Sequence, residues 1–339
     1  MKFCFLDQTK FEYSYMDKHS PILRGAESIL INLSENLKKI GHDVTVFNNC
    51  SDKIHNDSSN WYNIKKINKS ENLTFDVAIA NADMRLLNKV NSNKKLIISY
   101  SLQSLEKFIR KGQFFSYFKN KPEVYVIGNY HKNKRSHLLS LFGKKILDVS
   151  IDDLFMKTEL TNNIDHNQAI FTSRPDRNLN KLLDIWNDKI FPNLKSVKLI
   201  TTPAKNVRES NGVKFRMMSS QKELIDDLLK SRIFLIPGHK AELFCLAAEE
   251  ARELCIPIVT LGIGSLFERV EHGKTGFIAK NDSEFADYTI ELFKNDDLWN
   301  SIRSNLVNLR GSKSWEISTK KFSCNSIACS YINYGHFFT

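Results

Sequence analysis

Residues 233–259 read IFLIPGHKAELFCLAAEEARELCIPIV, and the pattern changes period twice within them. Ile233–Ile236 is a short apolar run closed by Pro237-Gly238, as a buried parallel strand would be. Leu246, Ala247, Ala248, Ala251 and Leu254 then recur at helical spacing. Pro257 stops that pattern, and Ile258-Val259 restarts a strand. Glu242 falls in the loop before the helix and Glu250 a turn or two inside it. Both carboxylates are therefore expected at the carboxyl edge of a parallel sheet, where α/β folds bind ligands.

The chain around this stretch has 339 residues, 42% of them apolar, enough for two ordinary domains. No apolar run reaches the length of a membrane-spanning helix. Met1–Asp7 reads as a first strand, too soon interrupted for a signal peptide. The six cysteines show no paired metal spacing and read as buried free thiols of a reducing, cytoplasmic compartment. Net charge is +11, and residues 61–150 hold 17 Lys and Arg against 6 Asp and Glu, so that segment carries the whole excess. Such a surface suits an anionic partner or a peripheral membrane contact, or is simply a soluble lysine-rich face. No nucleic-acid motif accompanies the charge.

In the first half, Lys2–Leu6 is a candidate strand. After a loop over 7–24, Gly25-Ala26-Glu27 opens a helix with Ile29, Leu30, Leu33, Leu37 and Ile40 on one face, and Asp43–Phe47 is the next strand. Residues 48–73 are polar and read as an irregular insertion. Phe75–Ala80, Lys95–Tyr100 and Val124–Ile127 are further strands, and His131–Leu141 a basic helix. Between them, Leu105–Lys121 interleaves Phe, Tyr and Ile with Lys and Arg, a pattern suited equally to a membrane interface and to a helix covering the core. Asp152-Asp153 reads as a surface pair, and 157–167 as a linker.

In the second half, Gln168–Thr172 is a strand followed by Ser173-Arg174-Pro175-Asp176-Arg177-Asn178-Leu179 and a helix. Arg177 would then lie near a helix N-terminus, and taken alone it reads as a surface arginine. Ser196–Thr201 is the next strand, followed by the short segment Gly212–Met217. Glu249 and Glu253 read as solvated charges on the central helix.

Taken in order, these segments resemble the retaining glycosyltransferases of family 4, glycosyl transferases group 1. Glu242-Leu-Phe-Cys-Leu-Ala-Ala-Glu-Glu250 is similar to the family's E-x7-E signature. Arg24-Gly25-Ala-Glu27 resembles its Gly-Gly-Ala-Glu loop, with Arg24 in place of the first glycine. The segment 173–179 is similar to its donor-phosphate loop, with Asn178 replacing Gly. Leu261–Ile278 resembles its G-G-x-P-E segment, matching at Gly264, Glu268, Gly273 and Gly276 with Phe267 in place of Pro, and Ser312–Ser318 its "fsWe" motif. The histidine that many members carry after the strand at 95–100 is absent, since that region reads Tyr100-Ser101-Leu102-Gln103.

The resemblance implies an α/β GT-B fold, with two Rossmann-like domains facing across a cleft. The first would span 1–157 and the second 158–315, with a last helix over 316–339 returning to the first. It further implies a metal-independent transfer of a sugar from a UDP- or GDP-linked donor to a glycan, lipid-linked or other hydroxyl acceptor. No cofactor is expected. Glu242, Leu243, Phe244 and Cys245 would meet the donor sugar. Arg177, Arg174, Leu246 and Gly25 would meet the diphosphate, and Glu250, Phe215, Arg216 and Met217 the nucleoside. The other reading is a non-catalytic nucleotide-binding subunit of the same fold, recruited through the basic first domain.

Overall fold

The structure is a computed structural model that describes residues 1–339 except residues 22, 52–53, 56–59, 68–71, 205–208, 218–219 and 332–339, and the side chains of 54–55 and 327–331. The chain divides into two units. One comprises Met1–Ser150 with Ser314–Thr339, the other Ile151–Lys313.

The first unit is built on eight strands: β1 (Lys2–Leu6), β2 (Asp43–Asn48), β3 (Ile54–His55), β4 (Asn60–Asn63), β5 (Thr74–Asn81), β6 (Asn91–Ile98), β7 (Glu123–Val126) and β8 (Lys144–Ile146). They lie in the order β3-β4-β2-β1-β5-β6-β7-β8. Every pair is parallel except β3 with β4. Parallel strands are buried on both faces, and β1 accordingly carries Phe3, Cys4, Phe5 and Leu6 without an exposed alternate position. Helix α1 (Gly25–Lys39) connects β1 to β2. It buries Ile29, Leu30, Leu33 and Leu37 and stops at Gly41, whose φ of +91° suits glycine. The short helices α2 (Leu105–Arg110), α3 (Phe114–Asn120) and α4 (Asn129–Lys134) follow.

Two expectations for this unit need correction. Residues 48–73 are not wholly irregular, because β4 pairs in register with β2 from Thr45↔Asn60 to Asn48↔Asn63. Its anchor is Trp61, fully buried against the rings of Tyr13 and Tyr15. The basic helix expected over 131–141 breaks at Arg135, which is extended. Its guanidinium turns inward to donate to Ser99 Oγ at 2.7 Å and to the Leu139 carbonyl at 3.2 Å. A 3-10 turn over His137–Ser140 completes the segment.

In the second unit, α5 (Asp153–Lys157) precedes six parallel strands: β9 (Asp165–Phe171), β10 (Lys198–Thr201), β11 (Val213–Phe215), β12 (Ser231–Leu235), β13 (Ile258–Thr260) and β14 (Gly276–Ile278). Their order is β11-β10-β9-β12-β13-β14. Around them lie α6 (Leu179–Ile185), α7 (Gln221–Leu229), α8 (Leu246–Glu253), α9 (Asp282–Lys294) and α10 (Asp296–Leu309). One apolar core joins β9 and β12 to α6, α8 and α9 through Ile170, Phe234, Leu182, Ala248 and Phe285. Helix α11 (Trp315–Tyr331) belongs to the first unit, where Phe322 packs on Tyr125 and Ser323 Oγ meets His42 Nε2 at 2.7 Å.

Cys4, Cys50, Cys245 and Cys255 are free and buried, whereas Cys324 is exposed on α11, contrary to the expectation of a buried thiol there; the side chain of Cys329 lies outside those described. No described helix is long and apolar enough to cross a membrane.

Candidate active site

The strand order of the second sheet reverses at β9, which has β10 on one side and β12 on the other. Connections leaving two such strands diverge to opposite faces, so a crevice opens at their carboxyl ends. The loop after β9 carries Arg174 and Arg177, and the loop after β12 carries Glu242. Arg177 Nε and Glu242 Oε2 lie 3.2 Å apart. Asn178 ties the same loops together, donating from its side chain to the Gly238 carbonyl at 2.6 Å. Asn178 is left-handed, with φ of +65°, a conformation that Asn adopts more readily than other side chains. That explains how it stands where the resemblance expects glycine.

Glu242 is held from its backbone as well. Its N–H donates to the His239 carbonyl at 2.8 Å, and its carbonyl accepts from Ser265 N–H at 2.9 Å. Burial pushes its carboxyl above the usual range, opposed by Arg177 and by the Cys245 amide. Gly264 lets two segments approach closely. A Cβ there would stand 2.3 Å from the His239 carbonyl oxygen and 2.8 Å from that of Glu242, at a φ of +77°. We expect Gly264→Ala to destabilise the unit by about 2 kcal/mol or more, since both backbones must move. Gly273→Ala, with φ of +76° and nothing within 4 Å, retains only the conformational strain. Thermal unfolding of the two variants checks this, and equal losses would contradict it.

Cys245, also left-handed at φ of +63°, turns the chain into α8. Leu243, Phe244 and Cys245 are buried beneath the loop. Leu246 starts the helix, so its end projects first-turn amides and a partial positive charge. Arg174 is exposed and pairs with Asp176 at 3.0 Å, an aspartate that Arg177 also meets at 3.0 Å.

Glu250 lies inside α8. It keeps some solvent contact, yet protein atoms surround its carboxylate densely. Burial, and after it the charge of Asp152, pushes this carboxyl up to about 7. Asp152 is buried where a surface pair was expected, because it caps α5 by accepting from Leu154 N–H at 2.9 Å. Phe215 ends β11 and is partly buried, and Met217 is exposed. The Arg216 guanidinium is engaged by Asp227 at 2.9 Å, which leaves the backbone of this segment and the Met217 side chain at hand for a ligand.

The expectation that Glu249 and Glu253 are solvated is overturned, since both are buried. Glu249 accepts from Arg252 Nε at 2.7 Å and from Lys313 Nζ at 3.1 Å, and it pairs with Arg269. Arg269 in turn lies over the Phe244 ring, 4.2 Å from its centroid. Glu253 accepts from Gly311 N–H at 2.8 Å. A charged layer therefore supports the loop that holds Glu242. Residue type alone hid it, because carboxylates at helical spacing read as an outward face.

In the first unit, Gly25 is the first residue of α1. The carboxyl ends of β1 and β5 there bring together Asp7, Glu27 and Asn81, all buried. Asn81 Nδ2 donates to Asp7 at 3.0 Å, Tyr13 donates to Asp7 at 2.8 Å, and Thr9 donates to Glu27 at 3.0 Å. Among the histidines of this unit, His131 of α4 is fully buried, with desolvation lowering it to about 4. Among the described residues no group of three or more His, Cys, Asp and Glu is disposed to hold a metal ion.

Residues 194–307 match the family described as Glycosyl transferases group 1. No curated protein matches the chain in sequence. Among solved structures, sucrose-phosphate synthase from Thermosynechococcus elongatus is similar over 98% of this chain and 100% of its own, with a TM-score of 0.71 at 12% identity. HepE from Anabaena, solved with UDP and glucose, aligns over 97% and 99% with a TM-score of 0.66 at 14% identity. A glycosyltransferase from Rickettsia africae aligns over 97% and 99% with a TM-score of 0.67 at 13% identity. Identities this low speak for the fold alone. Residues 194–307 are thus a glycosyl transferases group 1 domain, set in a chain with the GT-B fold of two Rossmann-like units.

Proposed function

We propose that the protein is a family 4 glycosyltransferase that moves a sugar from a nucleoside-diphosphate sugar to an acceptor hydroxyl with retention of anomeric configuration. The observation that carries this reading is the Arg177–Glu242 pair at the switch point, with Glu250 on the helix that follows. Arg177 and the N-terminal end of α8 would hold the diphosphate, with Arg174 and Gly25 as further contacts. As the bond between the sugar's anomeric carbon and the phosphate oxygen breaks, its electron pair passes to the diphosphate. Fixed positive charge at that oxygen lowers the barrier. This is the role a divalent cation plays elsewhere, so the reading needs neither metal nor other cofactor. Glu242 would accept hydrogen bonds from donor-sugar hydroxyls, with Leu243, Phe244 and Cys245 shaping the loop. Glu250 would accept from the ribose hydroxyls. The backbone of Phe215, Arg216 and Met217 would border the base. HepE, crystallised with UDP and glucose, supports a UDP-linked donor. In the first unit, Asp7 and Glu27 supply acceptors for the hydroxyls of a glycan or lipid-linked glycan.

The test is a panel of UDP- and GDP-sugars scored for binding and for slow donor hydrolysis. One family of donors should bind. Arg177→Ala is expected to weaken nucleoside-diphosphate binding by about 10- to 100-fold, the worth of one or two charge-assisted contacts. It should weaken nucleoside binding far less. Failure of every nucleoside diphosphate to bind the folded protein would sink the proposal.

A further inference from the structure

The basic excess of the first unit surrounds an apolar surface that the folded chain leaves uncovered. On α2 and α3, Ile109 is 51% exposed and Phe115 84%, and Phe114 and Phe118 are also exposed. Beside them, on the 3-10 turn over His137–Ser140 and just after it, Leu138 and Leu141 are each 55% exposed. These side chains stand on a fixed platform. Phe108, Tyr117 and Leu139 of the same elements are buried, so each element has an inner apolar face of its own. Tyr117 Oη accepts from the Leu141 N–H at 2.6 Å, and Phe142 packs tilted against Tyr117 at 5.0 Å and edge-on to Phe118 at 6.0 Å between centroids. The outer apolar residues are therefore surplus to the core, in segments that bury enough without them. Exposed apolar patches of this kind mark interaction surfaces.

Charge says which partner fits. Residues 102–145 contain ten Lys and Arg, of which Arg135 is turned inward, against two acidic residues, Glu106 and Glu123. Glu123 is occupied, since Lys145 reaches it at 2.9 Å and Lys94 at 3.5 Å. Glu106 is paired with Arg110 at 3.8 Å. Lys107, Lys111 and Lys119 flank the apolar side chains on the same two helices and their connection. A protein partner needs pockets for side chains, and a nucleic acid has little use for protruding phenylalanines without base-stacking geometry. A bilayer surface takes both features at once: anionic headgroups meet the cations, and the interfacial layer takes in the Phe, Ile and Leu side chains.

We propose that α2, α3 and the turn at 137–141 form a docking surface for a membrane rich in anionic phospholipid. This does not rest on the proposed reaction, because binding to lipid is read without turnover. The experiment is co-sedimentation of the full chain with vesicles of phosphatidylcholine, with and without phosphatidylglycerol. Binding is expected only to the anionic vesicles. It should fall about ten-fold or more when salt is raised from about 0.1 M to about 1 M, where screening shortens from about 10 Å to about 3 Å. Phe115→Ser with Leu138→Ser should lower it by about ten-fold without altering thermal unfolding, as expected of exposed sites. Phe115→Trp should give an emission that shifts to the blue and is quenched by brominated lipid. Equal binding to neutral and anionic vesicles would overturn the proposal. So would unchanged binding of the double variant, or tight binding to heparin with none to vesicles.

Discussion

Glu249→Ala is expected to destabilise the second unit by about 3–5 kcal/mol, the range for removing one partner of a buried ion pair. The carboxylate is 3% exposed and faces Arg269, Arg252 and Lys313. Burial alone would raise its pKa. The two guanidiniums and the ammonium overcome that and hold it at about 2. Its folded value therefore lies below the ordinary 4.5, so the stability it contributes is present above about 4.5 and is lost as pH falls toward 2. Alanine leaves two nearly buried guanidiniums with only their weaker partners, Glu268 for Arg269 and Glu253 for Arg252. It also frees Arg269 from the position in which it lies over Phe244, in the loop of Glu242. Urea unfolding at neutral pH checks the loss. As a control, Glu271→Ala breaks an exposed pair with Lys274 and should cost under about 1 kcal/mol. A similar small cost for Glu249→Ala would show that the network contributes little. The expected functional consequence is weaker nucleotide binding at temperatures where the variant is still folded, because the loop has lost its support.

The stretch 233–259 was legible because its unbroken apolar strand runs and its 3.6-residue helical period are carried by residues packed in one core. Strand, loop, helix and strand fall as β12, residues 236–245, α8 and β13. The approach of Arg177 to Glu242 was implied by family resemblance, and it follows physically from strand order, which no local pattern encodes. The ion layer beneath was not legible. Glu249 is neutralised by Arg269, 20 residues away, and by Lys313, 64 residues away, and a helical pattern counts any glutamate as outward-facing. Asp152 was missed for the same reason, as its burial depends on α5 packing near α8. In the first unit, β4 escaped notice because one tryptophan carries its burial, and the asparagines at its ends carry no apolar signal. The break at Arg135 was equally hidden, since an arginine turned inward onto Ser99 has the same sequence signature as one in solvent.

Glu250→Gln is expected to stabilise the ligand-free protein while weakening its hold on nucleotide. The wild-type carboxyl is raised from 4.5 to about 7, first by burial and then by the charge of Asp152. The folded state thus binds this proton more tightly than the unfolded state. Its favourable contribution is complete below about 4.5 and is lost as pH rises from there through about 7. At about 1.36 kcal/mol per pH unit, the interval corresponds to roughly 3 kcal/mol. Glutamine resembles the protonated carboxyl and carries no charge at any pH. The variant should therefore be more stable than wild type at pH 8 by roughly 2–3 kcal/mol and nearly equal to it at about pH 4. Nucleotide binding should move the opposite way. In the proposed site ribose hydroxyls would donate to the ionised carboxylate, so wild-type affinity for a nucleoside diphosphate should rise as pH passes from about 6 to about 8. The gain approaches ten-fold per unit below the pKa and levels off above it. Glu250→Gln should bind more weakly at pH 8 and show no such slope. A control is needed for the ligand's own titration, since its phosphate also ionises near pH 6. Comparing nucleoside with nucleoside diphosphate supplies it, because the slope due to Glu250 survives removal of the phosphates. A wild-type nucleoside affinity independent of pH, or a Glu250→Gln protein no more stable at pH 8, would place the strained carboxylate outside the ribose subsite. Stability and affinity moving in opposite directions on one substitution is the signature of a charge kept desolvated for a ligand, which packing alone does not produce.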